Sequence, residues 1–127
     1  MNILVLNGPN LNLLGTREPE IYGHTTLEDI NNNLVRNYPE VSITFKQSNS
    51  ESELITWIGD SPKNFSGILI NPAALTHTSL GLYDALKAIS NTRRSISLVF
   101  PNMFRIKSSC QTILTASREG LFIGLVL

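Results

Sequence analysis

The first strand of this chain and the long loop after it are encoded by NILVLNGPNLNLLGTREPEIYG, residues 2–23. The apolar run over residues 2–6 is typical of a strand buried on both faces of a parallel sheet. The connection over residues 7–23 exceeds the roughly 12 residues beyond which an irregular loop is usually functional or disordered. Four apolar residues in it argue against disorder: Leu11, Leu13, Leu14 and Ile21. The stretch therefore predicts a functional loop directly after the first strand.

The composition indicates one globular domain, residues 1–127. A chain of 127 residues with a hydrophobic fraction of 42% can bury one core and is too short for two domains. Ten basic residues balance ten acidic ones. This balance argues against nucleic acid and anionic membrane surfaces as partners, because both attract an excess of positive charge.

The sequence predicts a cytoplasmic protein. Cys110 is the single cysteine, which excludes an intrachain disulfide and fits a reducing compartment. The first ten residues, MNILVLNGPN, lack the basic segment of a signal peptide. No apolar run approaches the roughly 20 residues that a membrane helix needs.

Strands and helices alternate along the rest of the chain. Helices are predicted after two capping boxes, Thr25-x-x-Glu28 and Ser50-x-x-Glu53. A third helix has an apolar face formed by Leu82, Leu86 and Ile89. The strands predicted after the first cover residues 41–46, 67–70, 95–100 and 120–127. Residues 102–117 are ambiguous.

This alternation predicts an α/β fold with a parallel sheet and right-handed crossovers. Five strands favour a flavodoxin-like three-layer sandwich, with a five-stranded parallel sheet of order 2-1-3-4-5. Ligands of such sheets bind beyond the carboxyl ends of the strands, at the switch point between strands 1 and 3. The polar loops after strands 1, 3 and 4 are therefore expected to meet at one crevice.

Arg17 and Tyr22 are candidates for acid–base chemistry in the first loop. A phenol has a pKa of about 10, so Tyr22 could act as a general base only beside a cation such as Arg17. The alternative is a surface arginine and a tyrosine that anchors the loop.

Asn71 and His77 lie in NPAALTHTS, directly after the predicted third strand. A carboxamide and a neutral imidazole there could hold substrate hydroxyl groups, although His77 could equally bond to the backbone of its own loop. Asp84 falls on the next helix, on a solvated face or at an interface. The chain has no P-loop and no GxGxxG motif. Two histidines, one cysteine and no acidic cluster argue against a metal site.

Three segments together resemble the type II 3-dehydroquinate dehydratases. They are ILVLNGPNLNLLGTREPEIYG (residues 3–23), QSNSESELITWI (residues 47–58) and GILINPAALTHTSLGLYDAL (residues 67–86). The resemblance runs from residue 3 to about residue 89, roughly two thirds of the chain. Its NGPNLNLLGxRxPxxYG and NPxxxTHTS motifs are long and specific.

The resemblance implies an anti elimination of water from 3-dehydroquinate, a step of the shikimate pathway, without metal or cofactor. The product is 3-dehydroshikimate, formed through an enolate. Tyr22 would abstract the C2 proton, and Arg17 would lower the pKa of Tyr22. Asn10 would help to hold the water that stabilises the enolate oxygen.

The resemblance also assigns substrate binding and an assembly. Asn71 and His77 would bind the substrate, and Asp84 would reach the site of a neighbouring subunit. The family forms trimers, four of which make a dodecamer, so a homo-oligomer is expected.

The chain departs from the family pattern after the fourth predicted strand. Where the family has E-x-H-x-S-N-x-x-A-R-E-x-F-R, this chain has SLVFPNMFRIKSSC, residues 97–110. Aligned on the asparagine, the general-acid histidine falls at Val99 and its acidic partner at Ser97. Pro101 replaces the family's serine and has no N–H for the substrate carboxylate. Arg105 replaces the first arginine if one residue is deleted.

These departures predict weak dehydratase activity and a divergent C-terminal third, which ends at Leu127 before the family's closing helix. Two alternatives stay open. The chain could be a non-catalytic relative that keeps the fold, the oligomer and ligand binding, or an unrelated flavodoxin-like binding module.

Overall fold

The computed structural model describes residues 1–90, 95–101, 111–117 and 120–126, with side chains for residues 1–21 and 23–89. Its strands are β1 (Asn2–Asn7), β2 (Ser42–Gln47), β3 (Gly67–Asn71), β4 (Ser95–Pro101), β5 (Gln111–Ser117) and β6 (Gly120–Val126). Its helices are α1 (Pro19–Tyr22), α2 (Leu27–Asn37), α3 (Glu51–Asp60), α4 (Leu75–Thr78) and α5 (Leu80–Ser90). Short 3-10 turns cover Leu11–Leu13 and Ser61–Lys63.

The first three strands form a parallel sheet of order β2-β1-β3, as the sequence predicted. Val5 of the central strand pairs with Phe45 on one side and with Leu69 on the other. The chain therefore leaves β1 in one direction to form β2 and returns past β1 to form β3. This reversal creates the switch point between β1 and β3 at which ligands of open α/β sheets bind.

The outer strands differ from the five-stranded, wholly parallel sheet that was expected. β4 pairs with β3 in parallel, but β5 and β6 follow as antiparallel strands. Only two residues separate β5 from β6 in the sequence, and a parallel connection needs a dozen or more. The predicted last strand is present as β6, and β5 arises from the segment that the sequence left ambiguous.

The main core lies between the sheet and the helices α3 and α5. Alternate residues of β1 and β3 meet apolar side chains of both helices, and all of them are buried: Leu4, Leu6, Ile68, Ile70, Leu54, Ile58, Leu82, Leu86 and Ile89. Burying one such side chain contributes about 1.5–3 kcal/mol. None of the helices in the described ranges is long and apolar enough to cross a membrane.

The cap of α2 lies one residue later than the sequence predicted. The Thr26 hydroxyl accepts a hydrogen bond from the N–H of Asp29 at 3.1 Å, and Oδ2 of Asp29 accepts one from the N–H of Thr26 at 2.9 Å. Thr26 has the extended backbone of an N-cap residue, with φ −83° and ψ 165°. Both candidate boxes precede the same apolar spacing, so the pattern alone could not separate Thr25-x-x-Glu28 from the observed pair.

We expect Thr26→Ala to lower the free energy of unfolding by about 0.5–2 kcal/mol at neutral pH, because it removes the cap. The Asp29 carboxylate accepts hydrogen bonds from the Thr26 hydroxyl, which has the larger effect, and from the Thr26 N–H. Both hold the pKa of Asp29 below its usual range. A lowered folded-state pKa stabilises the protein above the unfolded-state pKa of about 3.9, and this contribution disappears as the pH falls through the folded-state value. The deficit of Thr26→Ala should therefore shrink in acid.

Urea unfolding at pH 7 and at pH 3 measures this effect. Thr25→Ala is the matched control, since the Thr25 hydroxyl makes no hydrogen bond within the described part of the chain. An equal loss in both variants would contradict the assignment of the cap to Thr26.

Candidate active site

The connections after β1, β2 and β3 leave the sheet side by side. Asn7 and Asn71 are register partners at the ends of β1 and β3. The N–H of Gly8 donates to the carbonyl oxygen of Asn71 at 2.8 Å, and the N–H of Ser48 donates to that of Asn7 at 3.0 Å. The polar segments after these strands therefore start from one edge, at the switch point.

Gly8 is required where the loop after β1 passes close to the loop after β3. A Cβ atom at Gly8 would lie 2.5 Å from the carbonyl oxygen of Pro72, closer than side-chain carbons approach backbone. Gly8 is buried, and the atom opposite it belongs to the main chain, so the contact could be relieved only by separating the two segments. The glycine therefore allows the loop after β1 to lie against the loop after β3.

Gly8→Ala should destabilise the protein by about 1–3 kcal/mol, the usual range for overpacking. Gly59→Ala is the matched control, because Gly59 lies in α3 and a Cβ atom there meets nothing within 4 Å. Alanine in a helix is favoured over glycine by about 0.5–1 kcal/mol, so the control should be slightly stabilised. Chemical unfolding of both variants measures the difference, and a Gly8→Ala protein as stable as wild type would contradict the close approach.

Asn10 lies exposed in the loop after β1, in the left-handed region with φ 66° and ψ −1°. Asparagine is one of the few residues other than glycine that adopt this conformation readily. The N–H of Asn10 donates to Oδ1 of Asn49 at 3.0 Å. The carboxamide of Asn10 is thus carried at the switch point by a constrained backbone.

Arg17 and Tyr22 lie in the same connection, on either side of the start of α1. The Arg17 side chain is half exposed, with Nε 4.0 Å from a carboxylate oxygen of Glu18. Tyr22 is the last residue of α1, which ends at Gly23 with φ 80°. This helix was not predicted from the sequence, although Pro19 at its first position and a glycine after its last are recognised boundary signals. Four residues are too few to show a helical period.

Asn71 and His77 follow β3 in a tight turn and the short helix α4. Asn71 is half buried, and its Oδ1 accepts a hydrogen bond from the N–H of Ala73 at 3.1 Å. His77 is exposed on α4, and its N–H donates to the carbonyl oxygen of Ala74 at 3.2 Å. Its imidazole makes no hydrogen bond to any described residue, so the ring is available to a ligand.

Three other positions were singled out from the sequence: Asp84, Val99 and Arg105. Asp84 is exposed on α5. Val99 lies in β4, where Leu98 pairs with Ile70, so that position 99 comes beside the end of β3 at the same edge of the sheet. Arg105 lies outside the described residues. In the described ranges, no three or more His, Cys, Asp or Glu side chains are grouped so that they could hold a metal ion.

Two further amide side chains, Gln47 and Asn49, belong to this edge and were not selected from the sequence. Nε2 of Gln47 lies 3.0 Å from Oδ1 of Asn49, the atom that also accepts the N–H of Asn10. The available signal was a polar run, QSNS, directly after a predicted strand. Carboxamide residues therefore lie in the connections after β1, β2 and β3, which start from the same edge of the sheet.

The chain is similar to proteins of a known family. The chain matches the family described as Dehydroquinase class II over residues 1–123. It is 47% identical over 127 residues to a 3-dehydroquinate dehydratase of Prochlorococcus marinus (strain MIT 9515), covering 98% of this chain and 86% of that protein. It is 60% identical over 89 residues to a 3-dehydroquinate dehydratase of Nitrosomonas eutropha, covering 68% of this chain and 61% of that protein.

A solved structure shows the same fold. The type II dehydroquinase from Butyrivibrio crossotus superimposes with a TM-score of 0.70 at 39% sequence identity, covering 79% of this chain and 68% of that one. The family match spans the parallel strands and the loops at their carboxyl ends. The chain therefore belongs to the class II dehydroquinase family.

Proposed function

We propose that this chain dehydrates 3-dehydroquinate to 3-dehydroshikimate in the shikimate pathway, by anti elimination through an enolate. The family membership supports the reaction. The observation that carries it is the joined edge of β1 and β3, where the backbone bond from Gly8 to Asn71 brings together the loops of the two family motifs. No residue of the proposed mechanism requires a metal or a cofactor.

Proton removal is assigned to Tyr22 with Arg17. The C2 proton lies next to the C3 ketone, so its removal leaves an enolate and needs a base of sufficient strength. A phenolate is such a base, and a neighbouring guanidinium makes it accessible near neutral pH by stabilising its negative charge. Both residues lie in one connection around α1, which supports their pairing.

Enolate stabilisation and substrate binding are assigned to the amides and to His77. Asn10 holds a water molecule against the enolate oxygen, because hydrogen-bond donors aimed at developing charge lower the barrier. Asn71 and His77 hold substrate hydroxyl groups, and the available imidazole of His77 suits that role. Asp84 completes the site of a neighbouring subunit.

The second half of the reaction, loss of the C1 hydroxyl group, has fewer suitable catalytic groups in this chain than the first half. The C1 hydroxyl must leave with a proton, and valine at position 99 supplies none. Arg105 is assigned to the substrate carboxylate, without help from an N–H at Pro101. We therefore propose a slow enzyme whose proton-abstracting half is intact.

The function is tested by following 3-dehydroshikimate formation, through its ultraviolet absorbance, in purified chain mixed with 3-dehydroquinate. Product should accumulate in proportion to the concentration of the chain and not with heat-inactivated chain. No product above the uncatalysed rate would contradict the proposal.

A non-catalytic relative is the second candidate, because Val99 and Pro101 replace polar groups of the family motif. This candidate predicts saturable binding of 3-dehydroquinate, measured by calorimetry, without turnover. Under either function we propose a cytoplasmic single-domain protein, residues 1–127. The strand order β2-β1-β3-β4 supports a flavodoxin-like sandwich.

We also propose a homo-oligomer built from trimers, as a dodecamer. The outer face of α5 exposes apolar side chains beside Asp84: Leu80 is 84% exposed and Tyr83 66% exposed. Exposed apolar area of this kind marks interaction surfaces. Sedimentation should give a particle several times the 14.0 kDa of one chain, and Leu80→Lys should reduce its size. A stable monomer of wild type at high micromolar concentration would refute the assembly.

A further inference from the structure

Asn49 ties the loop after β2 to the loop that carries Asn10. Oδ1 of Asn49 accepts a hydrogen bond from the N–H of Asn10 at 3.0 Å and a second from Nε2 of Gln47 at 3.0 Å. The residues of the first bond are 39 positions apart in the sequence. The carboxamide of Asn49 is therefore a tertiary anchor for the loop after β1.

Asparagine enters the left-handed region more readily than most residues, but that region is still less populated than the right-handed and extended ones, so an anchor that selects it helps to fix Asn10. Non-glycine residues in the left-handed region persist where the surroundings determine the conformation. Asn10 caps the 3-10 turn Leu11–Leu13, yet its own side chain makes no capping hydrogen bond. The hydrogen bond that the Asn10 N–H donates to Asn49 fixes this backbone and leaves the carboxamide of Asn10 to a ligand.

Gln47 holds the residues on both sides of Asn10. Its Nε2 lies 3.3 Å from the carbonyl oxygen of Gly8 and 3.4 Å from Oδ1 of Asn12. Gly8 and Asn12 each lie two positions from Asn10 in the sequence. The half-buried amide of Gln47 thus braces the loop that Asn49 holds at its centre.

Asn49 is itself held between two anchored serines. The N–H of Ser48 donates to the carbonyl oxygen of Asn7 at 3.0 Å, and the buried Ser48 hydroxyl donates to the carboxylate of Glu53. The N–H of Ser50 donates to the Ser48 hydroxyl at 2.9 Å, and the Ser50 hydroxyl accepts from the N–H of Glu53 at 3.3 Å. The predicted cap of α3 is therefore confirmed at Ser50, with the return bond relayed through Ser48.

We propose that Asn49, supported by Gln47, is a positioning residue for the dehydration: it fixes the backbone of Asn10 so that the Asn10 carboxamide holds the water molecule against the forming enolate. This inference rests on the proposed function. Asn49 acts through Asn10 and touches no reacting atom. A displacement of about 1 Å in a catalytic group can lower a rate about 10²-fold, so one lost anchor has a measurable effect.

The test compares Asn49→Ala, which removes the acceptor, with Asn49→Asp, which keeps an oxygen there. Asn49→Ala should lower kcat about 10- to 100-fold and leave KM within about threefold, because Asn10 acts on the enolate rather than on the bound ketone. Asn49→Asp should recover most of that loss. An unchanged kcat in Asn49→Ala, or an equal loss in both variants, would overturn the proposal.

Asn64→Ala is the matched control and should keep wild-type kinetics. Asn64 is exposed after the turn Ser61–Lys63, and its side chain makes no hydrogen bond to the described residues.

Amide hydrogen exchange at Asn10, measured by NMR on the same proteins, tests the anchor independently of turnover. Exchange should be about tenfold faster in Asn49→Ala and near the wild-type rate in Asn49→Asp and Asn64→Ala. If the wild-type chain makes no 3-dehydroshikimate, the proposed function fails, and the exchange rates still decide whether Asn49 holds Asn10. Equal exchange in wild type and Asn49→Ala would overturn the anchor.

Discussion

Replacing Tyr22 with phenylalanine is expected to lower the rate of 3-dehydroshikimate formation about 10²–10⁴-fold, the usual contribution of a positioned general base. The substitution removes one oxygen atom and keeps the aromatic ring, so it tests the hydroxyl group alone. The C2 proton of 3-dehydroquinate would then have no side-chain base, and only water could accept it. KM should change little, because the phenol acts on the proton rather than in binding the ring substituents.

Tyr38→Phe is the matched control for this experiment. Tyr38 is 52% exposed at the end of α2 and plays no part in the proposed mechanism. Ultraviolet assays at high enzyme concentration should give wild-type rates for Tyr38→Phe. A Tyr22→Phe protein that works as fast as wild type would show that another group removes the proton.

The second large effect concerns the leaving hydroxyl group. We expect wild-type turnover below the ordinary enzyme range of about 1–10³ per second, because position 99 supplies no general acid. Val99→His should raise kcat. The double variant Ser97→Glu with Val99→His should raise it further, since residues two apart in β4 share one face of the strand and a carboxylate can orient the imidazole.

The gain in kcat should not exceed the usual contribution of a general acid. A positioned acid contributes about 10²–10⁴-fold, so the double variant should recover a large part of that range. Leu98→His is the matched control, because position 98 lies on the opposite face of β4. Wild-type turnover of ordinary enzyme speed would show that a different group protonates the hydroxyl.

The parallel half of the fold could be predicted because its signals are local. The continuous apolar runs of β1 and β3 and the residues of α3 and α5 that face the core follow directly from pattern and spacing. The outer sheet could not be predicted in the same way. Short apolar runs do not show which neighbour a strand will choose, and only the two-residue gap before β6 indicates an antiparallel pair.

The residues of the candidate site also differ in whether a local sequence signal could identify them. The residues in recognisable motifs, such as Asn10 and His77, were selected from the sequence. Asn49 was not, because its role depends on a hydrogen bond across 39 positions of the chain. The cap of α2 was predicted one residue too early. Thr25 and Thr26 are both suitable N-cap residues for this helix, and only the folded structure, with Thr26 in the extended N-cap conformation, distinguishes them.

The stereochemical fate of the C2 hydrogens tests the central claim most directly, and it does not depend on a fast enzyme. The purified chain, produced in a host that lacks its own dehydratase, is incubated with 3-dehydroquinate that carries deuterium at C2 on one known face. Mass spectrometry of the 3-dehydroshikimate, corrected with a sample without enzyme, reports the label. An anti elimination predicts that deuterium opposite the C1 hydroxyl is lost and that deuterium on the same face as the hydroxyl is retained. The reverse pattern, or loss from both faces, would contradict the account.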